Sequence, residues 1–166
     1  TFKLLIMKKT LLLLSIFLIA GVAHLSAQKV PVKVLVEEFT QASCAPCAVQ
    51  NPDFNALILG LEDRSVLLKY QTSFPGFDPM NEHNPQDVLT RRNYYGITSV
   101  PNSRLAGNVV PMGGAYDGAP ANVNEAMINN IADDSTSVVI EVDHTINSTL
   151  DTINIEVVVK NIGDTD

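Results

Sequence analysis

Cysteine is scarce in this chain: two residues in 166, alongside three histidines and no tryptophan. A zinc centre needs more ligands than one cysteine pair supplies, and past residue 27 the only histidines are His83 and His144, in unrelated contexts. Zinc is therefore not the expected use of the pair. Basic side chains are also short, 11 against 18 acidic ones. Without the first 27 residues, which carry Lys3, Lys8 and Lys9, the balance is 8 basic to 18 acidic, a net charge of −10. A surface of that sign repels nucleic acid, and because the acids are spread along the chain their ordinary meaning is solubility.

Long apolar runs are missing beyond the start. Lys8-Lys9, an apolar stretch over residues 11–22 and then Leu25-Ser26-Ala27 before Gln28 read as a secretory signal peptide. Met7 is the expected initiator, with residues 1–6 an upstream extension. The apolar stretch falls short of the roughly 20 residues a spanning helix requires. No cysteine stands at the cleavage site, so a lipoprotein anchor is not expected, although membrane association by another route stays open. Export places the cysteines where disulfides persist.

Both cysteines lie in Ser43-Cys44-Ala45-Pro46-Cys47, after a valine-rich run over residues 30–39 that reads as a buried strand, and before a helix-like segment. A strand feeding a C-x-x-C that opens a helix points to redox chemistry. Free N–H groups and the positive end of the helix dipole stabilise a thiolate on the first cysteine. Cys44 is thus the expected nucleophile, and Cys47, one turn in, the thiol that resolves a mixed disulfide. The competing use is a purely structural disulfide, but closing so short a loop removes little unfolded-state entropy. Glu38 ends the strand near the point beneath the cysteines, where a buried carboxylate can exchange a proton with Cys47; the alternative is that it marks the strand's wet end, as Glu37 is read to do.

Val49, Phe54, Leu57, Ile58 and Leu61 are read as one apolar helix face, interrupted by Pro52, and residues 65–71 as a second buried strand. Strand, helix and strand at this spacing predict a parallel βαβ unit. Residues 72–87 are a loop; the spacing of its Asp78, Glu82, His83 and Asp87 fits no metal cage. A short helix is expected from Pro85 or Gln86 to Tyr94, then Gly96-Ile97-Thr98-Ser99-Val100-Pro101-Asn102, where a cis peptide before Pro101 is one of two open conformations. Residues 107–120 read as turn and linker. Val123, Ala126, Met127 and Ile131 predict a helix capped by Asn122, and alternating residues 138–142 and 153–159 predict two strands joined by a turn at 147–152.

Glu38, Cys44-Ala45-Pro46-Cys47, Pro52 and Gly96-Ile97-Thr98-Ser99-Val100-Pro101 together resemble, at matching spacing, the thioredoxin fold's buried acid, active-site pair, helix-kinking proline and cis-proline loop. Thioredoxins have tryptophan where this chain has Ser43, and usually aspartate where it has Glu38. Within that superfamily, Phe77-Asp78-Pro79-Met80-Asn81, the run Arg91-Arg92-Asn93-Tyr94-Tyr95-Gly96-Ile97 and the trailing β segment resemble Omp28-related exported or outer-membrane proteins of Bacteroidetes. The resemblance implies an α/β thioredoxin-like three-layer fold followed by the start of a β-sandwich-like segment. It implies Cys44 as nucleophile, Cys47 as resolving thiol, Glu38 as proton-relay acid, and Val100-Pro101 as a cis-proline turn that binds extended substrate backbone.

The expected organisation is a signal peptide over 1–27, a thioredoxin-like domain over 28–134 and a β segment over 135–166 belonging to a truncated second domain. The expected activity is thiol–disulfide exchange with cysteine-containing proteins of the periplasm or outer membrane. No cofactor is needed, because the cysteine pair is itself the redox group. The alternative expectation is a surface or adhesion module that uses the same scaffold with a fixed disulfide.

Overall fold

The computed structural model describes residues 28–108 and 116–163. The expected signal segment and residues 109–115 of the expected turn and linker lie outside the described residues. The described residues fall into two compact units, one spanning Pro31–Thr136 and the other containing residues 137–163.

The first unit is organised on strand β1 (Val34–Thr40). It pairs in parallel with β2 (Ser65–Gln71), with Val34 opposite Ser65 and Thr40 opposite Gln71. On its other side it pairs antiparallel with β3 (Asn102–Leu105), and β3 with the two-residue β4 (Asp117–Gly118), giving the order β2-β1-β3-β4. Helix α1 (Ala45–Leu59) makes the crossover from β1 to β2, as the βαβ pattern predicts. β4 corrects the reading of residues 107–120 as turn alone. Two residues carry no periodicity, and only the partners Ser103 and Arg104 reveal them as strand.

Side chains on a strand alternate in direction, and β1 sends its two sets into different layers. Val34 and Val36 join Leu105, Phe54 and Ile58 of α1, and Ile128, Ile131 and Ala132 of helix α3 (Glu125–Ala132) in the main core. Each of the larger side chains, from valine to phenylalanine, contributes about 1.5–3 kcal/mol by leaving water. On the opposite face, Phe39 stacks on Tyr70 at 4.9 Å and meets the edge of Tyr95 at 6.0 Å, under helix α2 (Pro85–Tyr95). Helices thus cover both faces of the sheet, the three-layer arrangement of a thioredoxin-like fold.

Local signals explain the helix ends. Cys44 is the N-cap of α1, and the helix continues through Pro52 to Gly60. α2 stops at Gly96, whose φ of +64° is the left-handed conformation that closes a helix, with Ile97 N–H reaching Arg92 O at 3.0 Å. α3 is capped by Asn124, which accepts from Met127 N–H at 3.1 Å, and not by Asn122. Asn122 instead ends a separate 3₁₀ turn, Pro120–Asn122, because extended Val123 interrupts the path between the two. Val49 corrects another expectation. It is 76% exposed, since five residues from Phe54 place it on the far side of α1, whereas Cys47, Asn51, Phe54 and Ile58 follow helical spacing.

In the second unit, β5 (Val138–Ile146) and β6 (Ile153–Asn161) form an antiparallel hairpin. Asn147 organises its turn, accepting from the N–H groups of Asp151 and Thr152 at 3.1 and 3.2 Å. The pairs Ile140–Val159, Val142–Val157 and Ile146–Ile153 line one face, all exposed. No helix among the described residues is long and apolar enough to cross a membrane.

Candidate active site

The strand-to-helix turn carries Cys44 and Cys47, joined in a disulfide. Cys44 occupies the N-cap, where its Sγ accepts the Cys47 N–H at 3.1 Å. That amide is one of the unpaired donors at the helix start, so the sulfur sits where the helix favours negative charge. Across from it, the Val100 carbonyl oxygen lies 3.7 Å from Cys44 Sγ, and the Val100–Pro101 peptide is cis. The structure therefore brings Cys44, Cys47, Val100 and Pro101 to one place. Both cysteines are well covered, at 3% and 1% exposure.

Glu38 lies deeper. Along β1 it shares the face of Val36, packed in the main core, and of Thr40, whose Oγ1 accepts from Asn51 Nδ2 at 2.9 Å. Asn51 is one helical turn beyond Cys47, so Glu38 sits under the start of α1. Its side chain is fully buried, with Lys69 Nζ 2.7 Å from Oε2 in ion contact. Oε1 has no hydrogen-bond partner among the described residues, nor does Ser103 Oγ, directly opposite on β3. Burial pushes the Glu38 carboxyl above its ordinary value, and Lys69 offsets this only in part. The wet-end alternative for Glu38 does not hold.

Glu37 is the larger surprise, because it is buried too. Arg91 grips it with two hydrogen bonds, Nε to Oε1 at 2.6 Å and Nη2 to Oε2 at 2.9 Å. Tyr95 donates to Oε2 at 2.5 Å and Tyr70 to Oε1 at 3.1 Å. Burial pushes this carboxyl up, but the hydrogen bonds from Arg91 and Tyr95, the Arg91 charge and Tyr70 outweigh it and hold it below the ordinary value. The cluster ties α2 to β1 just before the segment that leads to Pro101. A visible signal was the Arg91–Tyr95 spacing, which puts both on one face of α2.

Gln41 escaped the sequence reading, and Asp78 entered it without the role it has here. Gln41 uses its whole amide: Oε1 accepts from Ser43 N–H and Oγ at 2.7 and 2.8 Å, and Nε2 donates to the Gly76 and Phe77 carbonyls at 2.9 and 2.8 Å. Asp78 accepts from the N–H groups of Ala42, Met80 and Asn81 at 2.8, 2.8 and 3.1 Å. Its carboxylate is thus committed to backbone. Among the described residues no group of His, Cys, Asp or Glu gathers to hold a metal ion.

No protein-family model matches the chain, and no curated protein matches it. Among solved structures it is similar to HBP35 of Porphyromonas gingivalis, with 16% identity and a TM-score of 0.53 over 69% of this chain and 38% of that one. It also matches protein AGR_C_4864 from Agrobacterium tumefaciens, with 17% identity and a TM-score of 0.47 over 77% of this chain and 57% of that one. The chain thus spans well under two thirds of either protein. The likeness to HBP35 agrees with the α/β fold described above.

Proposed function

We propose that this chain is an exported thiol–disulfide oxidoreductase of the bacterial envelope, akin to Omp28-related proteins, acting on cysteine-containing proteins of the periplasm or outer membrane. The observation that carries the reading is the position of Cys44 Sγ at the N-cap of α1, accepting the Cys47 N–H, with the Val100 carbonyl on its other side. The helix start stabilises a thiolate there, which makes Cys44 both a good nucleophile and a good leaving group.

In the reducing direction, the Cys44 thiolate attacks a partner disulfide, forming a mixed disulfide and releasing one partner thiolate. Cys47 then gives its proton toward the Glu38 carboxylate and attacks Cys44 Sγ. The second partner thiolate leaves, and the electron pair has passed from the cysteine pair to the partner. In the oxidising direction the same steps run backwards, with neutral Glu38 returning the proton to Cys47. A carboxyl raised by burial suits both roles, since it takes and gives protons nearer neutrality than a surface glutamate does. The Val100–Pro101 turn would hold the partner's extended backbone beside Cys44.

The coverage of both cysteines favours a second reading, a thioredoxin-like scaffold with a fixed disulfide in a surface-binding protein. Trapping separates them. Cys47→Ala expressed in an envelope should accumulate mixed disulfides that disappear when Cys44→Ala is added. Absence of adducts from the single variant would favour the scaffold.

A further inference from the structure

In the loop between β2 and α2 two polar side chains turn inward: Asp78 collects the backbone N–H groups of Ala42, Met80 and Asn81, and Asn81 Nδ2 donates to the Gln71 carbonyl at 2.7 Å. Two large apolar side chains of the same loop turn outward, with Phe77 71% and Met80 56% exposed. Scattered exposed apolar residues are ordinary on a protein surface. These two differ in being carried on a backbone held at both ends. Gln41 clamps the carbonyls of Gly76 and Phe77, and the Arg92 guanidinium covers the Phe74 ring at 5.2 Å.

The anchors are also informative. Gln41, Ala42 and Ser43 are the three residues that precede Cys44, and Gly76 comes so near that a Cβ there would stand 2.6 Å from Ser43 Oγ. The loop is therefore fastened to the approach of the redox pair. A pre-ordered apolar surface loses little freedom on contact, so it converts buried area into affinity efficiently. Aromatic and thioether side chains also adapt to varied apolar partners.

The geometry points to Phe77 and Met80 as docking residues that grip an apolar side chain flanking the partner's cysteine while Cys44 exchanges with that cysteine. The occupant is an extended polypeptide segment with an aliphatic or aromatic residue within a few positions of its cysteine. This inference rests on the oxidoreductase reading and adds selectivity to it.

The test uses the oxidised protein and two reduced peptides of equal length and charge, each with one cysteine, flanked by leucine and phenylalanine in one and by serine and glycine in the other. A peptide thiolate attacks Cys44 Sγ, Cys47 leaves as a thiolate and takes up a proton, and a second peptide thiol displaces Cys44 to give the peptide disulfide. The wild type should react with the apolar peptide about tenfold faster, the order expected from partial burial of two apolar side chains. In Phe77→Ser/Met80→Ser, with folding checked by circular dichroism, the preference should shrink to about twofold or less. Equal wild-type rates, or a preference that survives the double substitution, would overturn the docking role. Dithiothreitol tests the underlying reading on the wild type. If it too fails to reduce the native pair, the oxidoreductase reading falls and takes this inference with it.

Discussion

Replacing Arg91 by alanine tests the buried clamp on which α2 hangs. In the wild type Glu37 accepts four hydrogen bonds, two from Arg91 and one each from Tyr95 and Tyr70. Alanine removes the two charge-assisted bonds and the cation, and leaves a fully buried carboxylate facing two phenols. Breaking a buried pair from one side costs about 3–5 kcal/mol, a large part of the roughly 5–15 kcal/mol that holds a domain together. The loss depends on pH. The wild-type carboxyl is held below its ordinary value, so its stabilisation is present above the unfolded-state pKa of about 4.3 and is lost as pH falls through the folded value. Without Arg91, burial dominates and raises the carboxyl. The folded variant then binds its proton more tightly than the unfolded chain, and its stability declines as pH rises above about 4.3. The gap between the two proteins should be widest near neutrality and close toward pH ~4. Urea unfolding measures it: at a slope of about 2 kcal/mol per molar, the midpoint should drop by about 2 M at neutral pH. Adding Glu37→Gln removes the orphaned charge and should restore about half of that loss or more. A neutral-pH loss under about 1 kcal/mol, or a gap of equal size at both pH values, would refute the reasoning.

Glu38→Gln should slow resolution of a mixed disulfide by about 100-fold near neutrality, as loss of a proton-transfer group does, measured by single-turnover release of a labelled peptide. The same variant should flatten a stability decline that the wild type shows as pH rises from about 4.3 toward the raised folded value, read from thermal unfolding across that range. Asp78→Ala should free the Ala42, Met80 and Asn81 amides and cost about 2–4 kcal/mol of local stability, seen as faster hydrogen exchange at those three positions while the β1 amides stay protected.

The cysteine pair, the βαβ unit around it and the existence of the second helix were legible because each rests on local information. Two cysteines at C-x-x-C spacing and a valine run turning into helical spacing are contained in short windows of sequence, whereas the closing of the second helix at Gly96 came from the structure. Glu37 was not legible because alternation shows that it opposes Glu38 without showing what covers its side. Only the packing of α2 supplies Arg91 and Tyr95. Asn122 and Asn124 are equally good caps by residue type, and the extended backbone of Val123 decides between them. Val49 shows how an apolar residue beside an apolar face can mislead when the helix is counted loosely. Asp78 reads as one of several acids in a polar loop whose spacing fits no metal cage, and becomes a backbone acceptor once residues 41–43 lie against it.

The most direct measurement is the redox equilibrium of the Cys44–Cys47 pair in native protein, followed by alkylation and mass spectrometry across glutathione and dithiothreitol buffers of graded potential. The account predicts a reversible two-electron transition in the range of exchange catalysts, about −120 to −270 mV. A pair that stays oxidised to below about −300 mV behaves as a structural disulfide, and that result would contradict the oxidoreductase reading.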